Sequence, residues 1–587
     1  MDRLREDTLA AVDAVFDRFA ARAVVPGFAW GIVADGALVH AGGSGTRRVG
    51  EDLQPDEDSV FRIASMTKSF TAATVLLLRD DGLLGLDDHV SAWLPDVDLR
   101  GPTTDSPAIT IRHLLTMSAG LPTDDPWGDR QQGLDLDRFA ELLRGGFSFA
   151  WTPGTRFEYS NLGYGILGRV VTRAAGLEYR DVVRTRLLDP LGMTATTYLP
   201  EEVANDRLAR GYVRRDDAWI EEPIDPYGAL AAMGGILTSV RDLARWVAGL
   251  TDAVPPRDDP DTGHPLRRAS RREMQQVHRP EAAELRRSSS DAAPELAAPA
   301  YGYGLSIWED LRIGRIVGHG GGYPGYGSHM RWHPASGLGV VGVGNARYAP
   351  IYLAVRDALA LLVEREPAMV RRVRPWPATI EARAGVERLL AVWDDELADR
   401  LFAMNVDLDE PLERRRATFE RLRVVHGSLR PDLDVEPESS TPAHLSWWLV
   451  GERGRVAVDI LLDPELPPRV QRLTLVSVPG PPAALADIAA RIVDLLGGPG
   501  PSWPADVGLA DTVDTVALGR ALRAAEAGWG PVTLGPVVAG DGDAMATWRL
   551  SGRQGLLDLE LERDRASGVL TRVAFVPRPL SVVGQAE

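Results

Sequence analysis

The segments that favour β-strands lie at the two ends of the first 366 residues. Near the N-terminus, two apolar runs flank Asp35-Gly36, a dipeptide typical of a tight hairpin turn. From Tyr301 onward, four further segments have the pattern of strands, and a helical pattern follows at about 351–366. The residues between these ends favour helices and loops. We therefore predict an α/β (α+β) fold, with one antiparallel sheet built from both ends of this region and a mostly helical middle.

The second half of the chain contains an internal repeat of roughly 100 residues. Residues 446–462 match residues 547–562, where a Trp, a Leu and two Gly recur at the same spacing. Each copy begins with helical sequence and ends in alternating strands, which predicts two small repeated α+β modules. The expected division is a first domain at 1–366, a Pro/Arg-rich linker at 367–378, a first module at 379–480 and a second at 481–587.

The overall composition excludes several classes of function. The chain has 83 acidic and 65 basic side chains, a formal net charge of −18, which argues against nucleic acid or an anionic membrane as partner. No run of ~18 apolar residues exists, so we expect no membrane span. The N-terminal segment is charged and lacks the apolar core of a secretory signal, which predicts a cytoplasmic location, with export as the alternative. The absence of cysteine excludes disulfides, thiolate metal sites and a cysteine nucleophile.

Lys68 is the only lysine among 65 basic residues. A desolvated lysine can lose its proton, whereas arginine effectively cannot, so a lone lysine suggests a role that needs deprotonation. Ser65 stands three positions earlier, on the same face of a predicted helix, where its hydroxyl can meet the lysine amine. Serine is a weak nucleophile and needs such a base. We predict Ser65 as nucleophile and Lys68 as base, the alternative being a helix cap beside a lysine with its stem on an apolar surface.

Two further motifs carry groups that suit the same chemistry. In Tyr159-Ser160-Asn161, the phenol could relay a proton, and the amide could bind a substrate carbonyl and Lys68. In His319-Gly320-Gly321-Gly322, the glycines allow a backbone to approach a ligand, and their N–H groups can bind an oxyanion. Each motif alone also has an ordinary explanation: a tyrosine packed at a strand end with an Asn helix cap, and a glycine-rich hairpin turn.

Together and in this order, the three motifs resemble those of the serine β-lactamase and penicillin-binding protein superfamily. Its signature is Ser-x-x-Lys, then Tyr-x-Asn, then Lys-Thr-Gly or His-x-Gly. The likeness covers about residues 8–365 and is greatest to the class C branch, which includes esterases, D-aminopeptidases and D-alanyl-D-alanine carboxypeptidases. The resemblance implies that Ser65 is acylated, that Lys68 is its base and that Tyr159 relays the proton. It further implies that Asn161 positions the substrate and that His319 takes the place of the strand lysine or histidine. The backbone N–H groups of Ser65 and Gly322 would form the oxyanion hole.

The resemblance implies a serine hydrolase that forms an acyl-enzyme on an ester, amide or peptide bond, including bonds to D-amino acids. No metal or cofactor is expected, and the expected partner is a small-molecule or peptide substrate. His319 is expected to be only partly charged at neutral pH and Gly320 lacks a hydroxyl, so recognition of a substrate carboxylate is weakened. The alternatives are an acyltransferase or peptide cyclase, a true β-lactamase, and a catalytically silent binding protein. The C-terminal modules could mediate a homodimer, shape the substrate cleft or bind a partner.

Overall fold

The computed structural model describes residues 4–286, 295–310, 313–371, 373–498, 503–504, 507–552 and 555–578. The chain divides into two compact units, the first comprising Met1–Asp310 with Gly314–Val370 and the second comprising Leu311–Ile313 with Arg371–Glu587. The main division lies between Val370 and Arg371, and the linker at 367–378 and the boundary between the two modules stay predictions. In the part of the chain that is described, no helix is long and apolar enough to cross a membrane.

The strands of the first unit come from its two ends, with short pairs between them. Among its described residues they are, in chain order, β1 (Gly27–Ala34), β2 (Ala37–Gly45), β3 (Val60–Arg62), β4 (Gly211–Arg215), β5 (Ala218–Glu222), β6 (Leu237–Ser239), β7 (Arg279–Pro280), β8 (Glu284–Arg286), β9 (Glu295–Ala297), β10 (Ala300–Tyr301), β11 (Ser306–Asp310), β12 (Gly314–Tyr323), β13 (Tyr326–His333) and β14 (Leu338–Gly344).

The main sheet confirms the predicted architecture. Its order is β2-β1-β14-β13-β12-β11-β10-β7, so the N-terminal hairpin pairs with strands from the other end of the unit, and the pairing is antiparallel. The hairpin turns at Asp35 and Gly36, whose φ angles of 49° and 75° lie in the left-handed region that such two-residue turns require. Short pairs β3-β6, β4-β5 and β8-β9 lie outside this sheet.

Helices and loops fill the middle of the first unit. The described helices are α1 (Glu6–Ala20), α2 (Thr67–Asp80), α3 (Val90–Trp93), α4 (Ile111–Leu115), α5 (Asp125–Gly128), α6 (Leu136–Gly145), α7 (Asn161–Ala175), α8 (Tyr179–Val183), α9 (Ala231–Gly234), α10 (Val240–Asp252), α11 (Arg268–Met274) and α12 (Tyr352–Arg365), with 3-10 turns at Ala64–Met66, Pro200–Glu202 and Pro367–Met369 and a π-helical turn at Arg184–Leu188.

The sheet is covered on both faces, and α2 lies in the core. At β14, Gly342 faces Val355 of α12 and Gly339 faces Val247 of α10, so the two helices pack on opposite faces of the sheet. Helix α2 is buried along nearly its whole length, from Thr67 to Leu78. Because α2 is buried on every side over this stretch, it carries the candidate base into the interior.

The second unit contains the two modules that the repeat predicts. Its described elements are α13 (Pro377–Ala391), α14 (Asp395–Leu401), α15 (Met404–Asp409), α16 (Leu412–His426), β15 (Arg430–Pro431), β16 (His444–Gly451), β17 (Gly454–Leu462), β18 (Val470–Pro479), α17 (Ala483–Leu496), α18 (Thr515–Trp529), β19 (Thr533–Gly540), β20 (Met545–Gly552), β21 (Gly555–Arg563) and β22 (Leu570–Arg578). They form two antiparallel four-stranded sheets, β15-β16-β17-β18 and β19-β20-β21-β22.

The repeat appears in the register of these sheets. Trp447 of β16 lies opposite Val458, and Trp548 of β20 lies opposite Leu559 at the same place in the second sheet. Both tryptophans are buried, each in its own apolar core with helices of its module. The matched Trp and Gly spacing therefore reflects two copies of one packing arrangement.

Candidate active site

Ser65 lies in the 3-10 turn Ala64–Met66, which connects β3 to α2. Ala64 has a φ of 48°, a left-handed conformation that strains a residue with a side chain. The N–H of the preceding Ile63 donates to the carbonyl of Ile236 at 3.0 Å, which helps to hold this strained turn. Ser65 is partly exposed, whereas its two neighbours are buried. Ser65 is the second residue of this 3-10 turn, where backbone N–H groups have no partner within the turn, so this donor is available to a ligand.

Lys68 is completely buried and its side-chain nitrogen has three oxygen partners. Nζ lies 2.9 Å from Ser65 Oγ, 2.7 Å from Asn161 Oδ1 and 2.9 Å from the carbonyl oxygen of Met233. Burial lowers the pKa of Lys68 to about 8, and the nearby carboxylates, of which Asp125 acts most strongly, limit the fall. With this pKa, about one tenth of the amine is neutral at pH 7, far more than for an exposed lysine.

Tyr159 lies beside the lysine. The centroid of its ring is 4.9 Å from Lys68 Nζ. Burial raises the pKa of Tyr159 well above its ordinary value, Asp125 adds to the rise, and the interaction with the Ser65 hydroxyl opposes it. The phenol therefore stays protonated at neutral pH and is a hydrogen-bond donor next to the serine. The residues before it form a loop in the structure, where the sequence favours a short strand.

Asn161 is the first residue of α7 and is fully buried. Its Oδ1 accepts from Lys68, while its Nδ2 donates to Asp125 Oδ1 at 2.8 Å. The carboxylate of Asp124 caps the helix, because its two oxygens accept from the backbone N–H groups of Asn161 and Leu162 at 2.7 and 2.8 Å. Asp124 and Asp125 thus fix both the backbone and the amide of the residue that holds Lys68.

His319 lies on β12, with its ring centroid 6.5 Å from that of Tyr159. Its Nδ1 lies 2.6 Å from the carbonyl oxygen of Gly320, so Nδ1 carries the proton, and Nε2, 3.0 Å from the hydroxyl of Tyr301, accepts from that hydroxyl. Burial, followed by the charge of Lys68, lowers the pKa of His319 to about 3. The partial charge expected from the sequence is therefore wrong, since an imidazole enclosed in this way stays neutral.

The glycines after His319 bring β12 against the serine turn. A Cβ added at Gly321 would lie 2.1 Å from the carbonyl oxygen of Ile63, so no other residue fits there without displacing the chain. The pairing of β11 with β12 ends at Ser306 and Gly318. Beyond that point, the edge of β12 from His319 to Gly322 pairs with none of the described strands on its β11 side.

The structure also contains functional candidates that the sequence did not indicate. Asp129 is buried, and burial raises its pKa to about 6. Asp129 lies in the same acidic stretch of the sequence as Asp124 and Asp125, and this stretch could have pointed to it. By contrast, the aromatic residues near the His-x-Gly motif that are typical of an acyl pocket are in the core: Tyr323 and Tyr326 are 1% exposed. Their hydroxyls donate to protein acceptors.

The family model named Beta-lactamase matches residues 12–364. The chain belongs to the beta-lactamase family. This confirms the resemblance to the serine β-lactamase and penicillin-binding protein superfamily that the three motifs predict. Membership of the family supports serine hydrolase chemistry at a coarse level.

Several known proteins are similar to part of this chain. Penicillin-binding protein 4* of Bacillus subtilis is 28% identical over 290 residues, 46% of this chain and 58% of that protein. The D-alanyl-D-alanine-carboxypeptidase/endopeptidase AmpH of Escherichia coli K12 is 30% identical over 213 residues, 35% of this chain and 52% of its own. Protein flp of Staphylococcus aureus COL is 25% identical over 354 residues, which are 59% of this chain and 66% of that protein. The chain thus spans about half to two thirds of these relatives.

A solved structure resembles the whole chain in fold. The octameric penicillin-binding protein homologue from Pyrococcus abyssi aligns with a TM-score of 0.52 and 20% sequence identity, over 97% of this chain and all of that one. The match includes the second unit, for which the sequence offered no resemblance. At this identity the likeness concerns the fold.

Proposed function

We propose that this protein is a serine hydrolase that forms an acyl-enzyme on Ser65 and acts on ester or amide bonds. The observation that carries the proposal is the 2.9 Å contact between Ser65 Oγ and the nitrogen of Lys68, a buried amine with a pKa lowered to about 8. A buried amine that exchanges its proton near neutral pH can serve as the base that serine requires. The partial exposure of Ser65 allows a substrate to reach it.

In the proposed acylation step, neutral Lys68 takes the proton of the Ser65 hydroxyl as Oγ attacks the substrate carbonyl carbon. The negative charge that develops on the carbonyl oxygen is stabilised by the N–H groups of Ser65 and Gly322. Tyr159, protonated and next to the serine, gives its proton to the leaving oxygen or nitrogen as the bond of that atom to the carbonyl carbon breaks, and it takes in turn the proton that Lys68 received from Ser65. A water then attacks the acyl-enzyme by the same route in reverse, and Ser65 regains its proton.

The charges of the site favour substrates without a carboxylate near the reacting carbonyl. His319 is neutral and both its ring nitrogens have protein partners, so it offers no cation. Asp125 and Asp129 add negative charge to the surroundings of Tyr159. The site therefore lacks a cation at the position of His319, and neutral esters and amides are favoured over β-lactams.

Hydrolysis of a peptide bond is the second candidate. The open edge of β12 after Gly318 could pair with an extended peptide as an added strand. The name of the relative AmpH, a D-alanyl-D-alanine-carboxypeptidase/endopeptidase, adds support for a peptide with a D-amino acid. In hydrolysis the acyl group passes to water, whereas in acyl transfer it passes to an amine. Analysis of the products formed with an added amine distinguishes the two reactions.

The test combines active-site labelling with a substrate screen. A fluorophosphonate probe should modify Ser65, as located by mass spectrometry, and Ser65→Ala should lose labelling while Ser91→Ala, an exposed serine, keeps it. The screen uses p-nitrophenyl esters, D- and L-amino acid p-nitroanilides and nitrocefin. No labelling together with no turnover would overturn the proposal and favour a silent binding protein.

Lys68→Arg separates the role of base from the role of charge. We expect at least a 1000-fold loss of kcat, because arginine keeps the charge but cannot give up its proton near neutral pH. Arg100→Lys, a swap of the same kind at an exposed ion pair with Asp98, should leave turnover unchanged. Near-normal turnover by Lys68→Arg would contradict the role of Lys68.

We further propose a cytoplasmic location and a homodimer formed through the second unit. The acidic composition supports the first. The proposal of a homodimer rests on the repeated modules of the second unit, which have no role in the proposed reaction. Light scattering of the full chain gives the solution mass, and a monomer at micromolar concentration would refute the homodimer.

A further inference from the structure

Tyr348 is a half-exposed aromatic residue in the loop between β14 and α12. The residue is 51% exposed, although its backbone N–H donates to the carbonyl of Tyr326 at 3.1 Å, beside the turn between β12 and β13. Its φ is 49°, in the left-handed region that a bulky residue rarely adopts. Such strain persists only where the surroundings hold the residue in place, and it is concentrated at ligand-binding sites.

The hydroxyl of Tyr348 is anchored on the acidic side of the candidate site. It donates to Asp129 Oδ2 at 2.8 Å. Asp129 is buried and follows α5, the helix that begins at Asp125, the partner of Asn161. Because a buried carboxylate needs a donor, this contact ties the exposed ring to the segment that positions Asn161.

The ring of Tyr348 lies against Gly322, the proposed second donor of the oxyanion hole. A Cβ added at Gly322 would lie 2.6 Å from Cδ1 and 3.2 Å from Cε1 of the tyrosine. The ring therefore occupies the space that a side chain on this strand would take. It stands at the end of the open edge of β12 that begins after Gly318.

We propose that Tyr348 is a specificity-determining residue whose ring selects acyl groups that carry an aromatic or other flat apolar substituent. This inference rests on the function proposed for Ser65. A ring held at its backbone and at its hydroxyl loses little conformational freedom when a ligand packs against it. Ring-to-ring packing of this kind is worth about three- to tenfold in binding. The buried rings of Tyr323 and Tyr326 have no such free face.

The test compares two substrates with the same leaving group, p-nitrophenyl phenylacetate and p-nitrophenyl acetate. The measured quantity is the ratio of their kcat/KM values, phenylacetate over acetate. Tyr348→Asn removes the ring, and asparagine tolerates a left-handed backbone, so the loop can keep its shape. We expect this variant to lower the ratio about three- to tenfold, chiefly through a higher KM for the phenylacetate.

Two further variants separate ring packing from a structural role. Tyr348→Phe keeps the ring without the tie to Asp129, and its ratio should stay within threefold of that of the native protein. Tyr352→Asn removes a tyrosine that is 50% exposed at the start of α12, and its ratio should not change. For an amidase, the p-nitroanilides of D-phenylalanine and D-alanine replace the esters.

Equal losses with both substrates in Tyr348→Asn would overturn the inference and assign Tyr348 a structural role. An unchanged ratio in Tyr348→Asn, with native turnover and labelled Ser65, would overturn this inference while leaving the proposed hydrolase intact. Absence of labelling and turnover in the native protein would overturn both. The thermal unfolding midpoint of each variant shows that the folded protein is being compared.

Discussion

The side-chain nitrogen of Lys68 lies 2.9 Å from the hydroxyl oxygen of Ser65, one helical turn earlier in the chain. The contact depends on tertiary structure as well as on spacing. The carbonyl of Met233 and the amide of Asn161, both distant in sequence, hold the amine in place. Burial then lowers the pKa of Lys68, so the same packing that fixes the contact also sets its proton affinity.

Replacing Asp125 should shift the pH dependence of turnover. The native kcat/KM should rise with pH through about 8, because the neutral form of Lys68 is the active one and its pKa is about 8. The charge of Asp125 raises the pKa of Lys68, so in Asp125→Asn this pKa falls and the midpoint of the profile moves to lower pH. An exposed, distant acid, changed in Asp105→Asn, should leave the midpoint unchanged. A shift to higher pH in Asp125→Asn would contradict the electrostatic account.

The imidazole of His319 should not titrate between pH 5 and 8. Burial lowers its pKa to about 3, so the ring stays neutral throughout this range. NMR spectra of the ring protons, assigned with His319→Gln, provide the measurement. A chemical-shift inflection near pH 6.5 would contradict this prediction. It would show that His319 becomes protonated in this range and can bind a substrate carboxylate as a cation.

Removing the carboxylate that caps α7 should affect both stability and turnover. Asp124→Ala leaves the N–H groups of Asn161 and Leu162 without their acceptor, and we expect the free energy of unfolding to fall by about 1–2 kcal/mol. Because Asn161 holds Lys68, kcat should fall as well. Ser160→Ala removes another cap of the same helix, the bond to Gly163, and should cost about 1 kcal/mol with kcat within threefold of native. Urea unfolding and steady-state kinetics measure the two effects, and equal kcat values in the two variants would refute a positioning role for Asp124.

The buried tryptophan of the first module should dominate its stability. Trp447→Ala opens a cavity in the core of this module, and the expected cost in free energy of unfolding is about 3–5 kcal/mol. Val476→Ala changes a half-exposed residue of β18 and should cost less than about 0.5 kcal/mol. Denaturant unfolding followed by circular dichroism gives both values. Similar costs for the two variants would show that the repeated Trp is not a core residue.

The sequence predicts the frame of the first unit because each signal there is local. The Asp35-Gly36 turn needs only two residues, and the strands at both ends show their own periodicity. Ser65 and Lys68 are likewise a local pair, three positions apart on one helical face. Such features are determined by neighbours in the chain and are visible before any fold is known.

The contacts that position the side chains of the site and set their charge could not be predicted in the same way. The carbonyl of Met233 belongs to the backbone and has no sequence signature. The neutral state of His319 depends on burial and on Tyr301, which follow only from the complete fold. Tyr348 was missed because its exposure and its contact with Asp129 depend on two loops far apart in sequence.

A consequence of the single buried lysine concerns proteolysis. A protease that cleaves only after lysine has one target bond in the 587 residues, between Lys68 and Ser69. Both residues are completely buried inside α2, so cleavage requires this central helix to unfold. The rate at which the chain is cut into two pieces would therefore report the opening of the core of the first unit, without any engineered label.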